Sequence, residues 1–316
     1  MFWIIFTIAG ATLQAFRSLE QKYLNQKLDT LTVTWSRFLF PLPLAIAAVS
    51  SSFNSVSNQF ILHCAVTASF QITGNFLLLR TIRSKNFSIG IAFYKTELLQ
   101  SLLLGIAFFN QHISTGGLVA ILVTTAGMIL MSNLNLRKFE LDKAAFFGTL
   151  SGLCFSISAF NLKFASDQMR LIGFNDYTAG VMVLMWVILL QNLIFLIIKS
   201  SQRRLKKDLG NLFAAENRRS FLKTSVLSFT GSILWFLAFS IGNVVYVKAV
   251  GQVELIVALF ISWHLKEKYK KQEIVGIAVT ALGILALIFF HYSNTVLQSQ
   301  SRLNCDGALE CSKQYL

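Results

Sequence analysis

Charge is what this chain has least of. Only 13% of its 316 residues are Asp, Glu, Lys or Arg, and acids are the scarcer kind, 14 against 28 bases. With 54% hydrophobic residues and a mean hydropathy of +0.60, this composition excludes a water-soluble domain and places the chain in a bilayer. Metal chemistry lacks its signature too: the four histidines are scattered and no Cys-x-x-Cys occurs. No paired nucleophile and base or phosphate loop stands out, so no enzyme and no cofactor is expected. The apolar N-terminus has no basic n-region, which reads as a retained helix and not a cleaved signal peptide.

Long apolar runs fill the space that charge leaves. A spanning helix needs roughly 20 mostly apolar residues, since the hydrocarbon core is about 30 Å thick and each residue rises about 1.5 Å. Ten stretches qualify or nearly so, namely residues 2–16, 32–49, 61–79, 89–109, 117–131, 144–160, 179–198, 225–241, 244–265 and 274–291. The basic residues are not spread evenly between them. Most fall after odd-numbered stretches, as with Arg17, Lys22 and Lys27, Arg80, Arg83 and Lys85, or the series from Lys199 to Lys223. Clustering in alternate loops argues against nucleic acid as the partner. Short basic loops stay cytoplasmic during insertion, so both termini are expected outside.

The chain also repeats itself. Val119-x-Ile121-x-Val123-Thr124-x-x-Gly127 recurs as Val275-x-Ile277-x-Val279-Thr280-x-x-Gly283. Carried backwards, the match pairs Asn86 with Asn243, Ala92 with Ala249 and Glu97 with Glu254. Five stretches per repeat is an odd number, so the halves must lie in opposite orientations. The expected architecture is therefore an all-α membrane protein of ten transmembrane helices in two inverted five-helix repeats. Residues 1–134 form the first, 135–144 a basic linker, 145–291 the second and 292–316 a polar, mobile tail. In that tail Cys305 and Cys311 are either free or joined in a disulfide, whereas Cys64 and Cys154 read as packing residues. Leu205, Leu209, Leu212 and Phe213 recur at helical spacing among basic residues, which fits either a helix on the lipid surface or a solvated linker. Gly148 and Gly152 have the spacing that lets helices pack closely.

Polar residues inside the spans are the candidate site. A charge at a helix centre costs on the order of 2.5–3.5 kcal/mol, so it normally faces a cavity or a partner. The fourth stretch carries Tyr94, Lys95, Glu97 and Gln100, and the ninth Lys248, Gln252 and Glu254. Gln14, Arg37, Gln71 and Asn75 complete the candidate substrate-binding set. Arg17 converges on it beside Gln14 from the cytoplasmic end of the first stretch, and Asn161 and Lys163 at the end of the sixth could complete a hydrated, substrate-sized cavity. On an unbroken helix Lys95 points away from Glu97, leaving Arg37 or Lys248 to neutralise it. Glu254 reads as a weaker candidate, paired with Lys248. A desolvated Glu97 would favour proton coupling, whereas a cationic neighbour would keep it ionised and free to hold a cationic substrate group. For each amide alone, the plainer reading is an interhelical hydrogen bond.

The repeat, Trp35-Ser36-Arg37-Phe38-Leu39-Phe40 and Tyr94-Lys95-Thr96-Glu97-Leu98-Leu99-Gln100 together resemble the EamA-type branch of the drug/metabolite transporter superfamily. The resemblance covers residues 1–291. It implies a ten-helix inner-membrane carrier moving small metabolites, often amino acids or related compounds, by alternating access. Two departures stand out. The branch often has a glutamate at the end of the fourth helix, where this chain has Phe109-Asn110-Gln111 although Glu267 is kept in the ninth. Better-known members also keep both termini in the cytoplasm. The expected partners are a small-molecule substrate, the lipid bilayer and a coupling ion if there is one. A scaffold with a vestigial cavity and an enzyme acting on lipid-linked substrates are the alternatives. A cluster of His, Asp or Arg at one membrane face would favour the enzyme, and the short outer stretches lack one.

Overall fold

The structure is a computed structural model that describes residues 2–52, 56–82, 93–109, 111–131, 143–264 and 271–305. Among these residues it is entirely helical, without strands. We number the helices α1 (Phe2–Lys27), α2 (Thr30–Leu39), α3 (Leu42–Ser52), α4 (Asn58–Ile82), α5 (Glu97–Ala107), α6 (Thr115–Met131) and α7 (Lys143–Leu171). They continue as α8 (Asp176–Ser201), α9 (Leu205–Phe213), α10 (Ala215–Ile241), α11 (Val244–Val250), α12 (Val253–His264) and α13 (Lys271–Cys305). The linker residues 135–142, Asn86, Ala92, Asn110, Glu267 and Cys311 lie outside the described residues.

Six helices are long and apolar enough to cross a membrane: α1, α4, α7, α8, α10 and the Ile274–Ser293 part of α13. A seventh span results if α2 and α3 are joined across their 51° bend. This is fewer than the ten continuous spans expected, because several apolar stretches are built from short pieces. The sequence has only two prolines, Pro41 and Pro43, and both sit at the α2/α3 bend, where the ring removes a donor and clashes with the preceding turn. Asn192 of α8 steadies this bend, donating to the Phe38 carbonyl (2.8 Å) and accepting from the Trp35 indole (3.0 Å). Large hydrophobics stay exposed along the outer faces, including Leu103, Ile197, Leu282 and Phe289, as a lipid-facing surface requires.

The core is made by long antiparallel or crossing pairs: α4 runs along α7, α1 along α10, and α6 along α13. The repeated motif makes the last of these crossings. A Cβ on Gly127 would overlap the backbone of Thr280, and one on Gly283 would overlap the backbone of Thr124. Each half of the motif is thus the other's partner, and glycine is needed because backbone meets backbone.

Three local expectations change. Helix α1 continues to Lys27, so Arg17 is a buried helical residue and not part of a basic loop. Helix α9 does not lie on lipid with its apolar side: Leu205 and Leu209 pack against Trp35, Phe38 and Phe195, and Leu212 is buried beside Phe221. Its Asp208 pairs with the buried Lys199 at 2.6 Å, which fastens α9 to α8. Finally, the backbone of α13 stays helical through Cys305, beyond the expected end of the last span.

Candidate functional site

Both glutamate-bearing stretches are interrupted just before the glutamate. After Phe93 and Tyr94 the helix is broken by a turn at Lys95 and Thr96, with the Thr96 amide donating to the Phe93 carbonyl three residues back. Helix α5 then begins on Glu97. In the second half, α11 ends at Val250, Gly251 and Gln252 form the turn, and α12 begins with Val253 and Glu254. Each glutamate therefore sits in the first turn of a half-helix, the end whose dipole favours negative charge. Small residues make room for the breaks. A Cβ on Gly152 would lie 2.9 Å from the Tyr94 carbonyl, and one on Gly251 would lie 2.5 Å from the Trp235 ring. Ser156 of α7 ties the first break down, its hydroxyl lying 3.1 Å from the Glu97 carbonyl.

The charges pair across the two halves. Lys248 of α11 forms an ion pair with Glu97, and Lys95 pairs with Glu254 at 3.0 Å. Gln14 of α1 donates a second hydrogen bond to Glu254, also at 3.0 Å. Lys248 had been one of two expected partners of Glu97, so that reading is met. Glu254 is held by Lys95 and Gln14 and not by Lys248, and Lys95, expected to point away from Glu97, does not pair with it. Aromatic faces surround the ammonium groups: Lys248 lies 5.3 Å from the Phe239 ring centre and 5.9 Å from that of Phe155, and Lys95 lies 5.0 Å from that of Tyr94.

These groups line a cavity of about 70 Å³. That is room for several waters, and less than the roughly 300 Å³ of even a small ligand pocket. Of the expected residues, Gln14, Arg37, Gln71, Tyr94, Lys95, Glu97, Lys248, Gln252 and Glu254 all reach its wall. Asn75 lies one step behind, accepting from the Arg37 guanidinium at 2.8 Å. Gln100 does not line the cavity and bonds to Thr96 and the Thr149 carbonyl. Asn161 and Lys163 are elsewhere, the first with His63 (2.9 Å) and the second on the Ser240 carbonyl (2.6 Å).

Sequence reasoning underrated Arg17 and missed the aromatic wall of Phe155, Trp235, Phe236 and Phe239. In the sequence Arg17 counts both as a loop base and as a polar group converging beside Gln14, and it is left out of the substrate-binding set. Its position one turn after Gln14 on the same helix face was the available signal. The aromatics gave none, since a lone Phe in a span reads as lipid contact or packing.

Outside the spans, Asp29 caps α2 by accepting from the amides of Leu31 and Thr32. Burial pushes its carboxyl pKa upward, but the Thr32 hydroxyl and amide, Lys199 and the Leu31 amide outweigh that and hold it below the ordinary value.

The fold and this buried charged cavity define a multi-pass helical membrane protein. Residues 142–289 match the sequence profile of the EamA-like transporter family, in keeping with the resemblance over that part of the chain. By its description that family is one of transporters. Among curated proteins none is significantly similar. A solved crystal structure of another protein is similar in fold, with a TM-score of 0.65 over 91% of this chain and 96% of that one, at 10% identity.

Proposed function

We propose that the protein is a secondary carrier that moves a small polar metabolite across the inner membrane by alternating access, with ten membrane passes arranged as two inverted five-pass repeats. The passes are α1, α2 with α3, α4, α5 with the turn before it, α6, α7, α8, α10, α11 with α12, and α13. Exchanging the halves turns the α4/α7 pair into the α10/α1 pair and the α6/α13 crossing into itself, as a two-fold axis in the membrane plane requires. The basic alternate loops favour both termini outside.

The observation that carries this reading is the pair of crossed salt bridges. Glu97 and Glu254 occupy equivalent positions in the two halves, each is held by a lysine of the other half, and both face one small cavity. Rocking one half against the other must break at least one of these pairs. A solute that replaces the lost partners would then be the natural trigger, since a bare buried charge costs several kcal/mol. Proton uptake by one glutamate is a second way to release its lysine.

The test is saturable uptake of a broad panel of labelled amino acids, organic acids, sugars and amines into proteoliposomes, with and without a pH gradient. Saturable flux of one solute, lost in Glu97→Gln, is the expected result. No saturable flux of any solute would refute the carrier reading and leave the scaffold alternative.

A further inference from the structure

We infer that the solute carries an anionic group, a carboxylate or a phosphate, and that Arg17 and Arg37 are its receptor; this rests on the carrier reading above. The cavity wall holds four cations, Arg17, Arg37, Lys95 and Lys248, against two carboxylates, Glu97 and Glu254. Both carboxylates are already occupied by the lysines. The two guanidinium groups are left over. Arg17 is 4% exposed and has neither a hydrogen bond nor an ion pair among the described residues, feeling Glu254 only at longer range. Arg37, 7% exposed, has one hydrogen bond, to Asn75, and its Nε is unpartnered. Both line the same cavity.

The unsatisfied polar atoms around them are donors in all but one case. Arg17 Nε, Arg37 Nε, Asn75 Nδ2 and the Trp235 indole are all buried donors without an acceptor in the protein. Against them the cavity wall offers one idle acceptor, Gln252 Oε1. Buried charges normally have partners, and a planar guanidinium pair matches the oxygens of a carboxylate or phosphate in geometry as well as sign. A cationic solute meets the opposite situation, having to displace a lysine and enter a wall with surplus positive charge. Selection for anions follows from this excess of unpaired donors.

The test uses the purified protein in nanodiscs of phosphatidylcholine, with thermal shift and titration calorimetry against inorganic phosphate, lactate and 3-phosphoglycerate, and choline and glycerol as controls. At least one of the three anions is expected to stabilise the protein at millimolar concentration, while choline does not. Arg17→Gln and Arg37→Gln should each weaken that binding by about tenfold to a hundredfold, the range for losing a charge-assisted hydrogen bond. Arg37→Lys keeps the charge and should retain part of it, which separates a binding loss from misfolding. Binding of choline or glycerol unaffected by either substitution, or no response to any of the three anions, overturns the inference. A response to added phosphatidylglycerol alone also overturns it, since the receptor would then serve a lipid headgroup. These outcomes leave the carrier reading standing, because that fails only if the uptake panel shows no saturable flux.

Discussion

Replacing Lys248 by methionine keeps the side-chain bulk but removes the ammonium that holds Glu97. The carboxylate is then left in a site where its side chain is 6% exposed, with Tyr94 and aromatic rings around it. Breaking a buried pair on one side costs about 3–5 kcal/mol, because the surviving charge has lost both water and partner. Removing both charges is a different matter. In Glu97→Gln/Lys248→Met no ion is stranded, and the desolvation cost of both is recovered, so the double variant should lie within about 1–2 kcal/mol of the parent. Glu97→Gln alone strands Lys248 at a similar cost, so the coupling energy of the cycle is expected at about 4 kcal/mol or more, well above the roughly 0–1 kcal/mol of an exposed pair. Equilibrium unfolding by SDS in mixed micelles measures it. Additive losses, with the double variant as unstable as the sum of the singles, would refute the claim that these two side chains are each other's partner.

Other consequences are quicker to check. Gly127→Leu and Gly283→Leu should each destabilise the protein by at least about 1–3 kcal/mol, the range for overpacking, since both drive a side chain into the opposing backbone; a loss confined to one of them would break the symmetry of the crossing. Gly251→Val, which runs into Trp235, should lower stability by a similar amount, and Trp235→Ala in the same chain should return part of it. Asp29→Ala removes the α2 cap at a cost of about 1 kcal/mol. Because the Asp29 carboxyl is held below its ordinary value in the fold, its contribution is complete above the unfolded aspartate range and is lost as pH falls through the lower folded value. The difference between parent and variant in a melt should therefore vanish in strong acid.

The membrane character and the repeated motif that makes the α6/α13 contact could be read directly, because apolar run length and self-similarity are properties of the sequence itself. Most cavity residues were legible for the same reason: a polar side chain in an apolar span has few alternatives. What escaped was backbone geometry. The turn at Lys95 and Thr96 lies where Gly152 of another helix leaves room for it, which no local pattern announces. The partner of Glu254 escapes because Lys95 reaches it from the other end of the chain, a contact that no spacing within one stretch predicts. Arg17 has two readings because positive charge near a helix end belongs either to a cytoplasmic loop or to a cavity wall, and only packing against α10 and the second half chooses between them.

Alternating exposure of the cavity is the claim on which the rest depends. Ser232 of α10 lines the cavity and is only partly buried, so a cysteine placed there in a chain lacking its own cysteines reports on access. Labelling with a membrane-impermeant thiol reagent, applied in turn to each face of oriented proteoliposomes, tests it. The account predicts reaction from both faces, with the ratio shifted by a bound solute. Reaction from one face only, whatever solute is added, would contradict it.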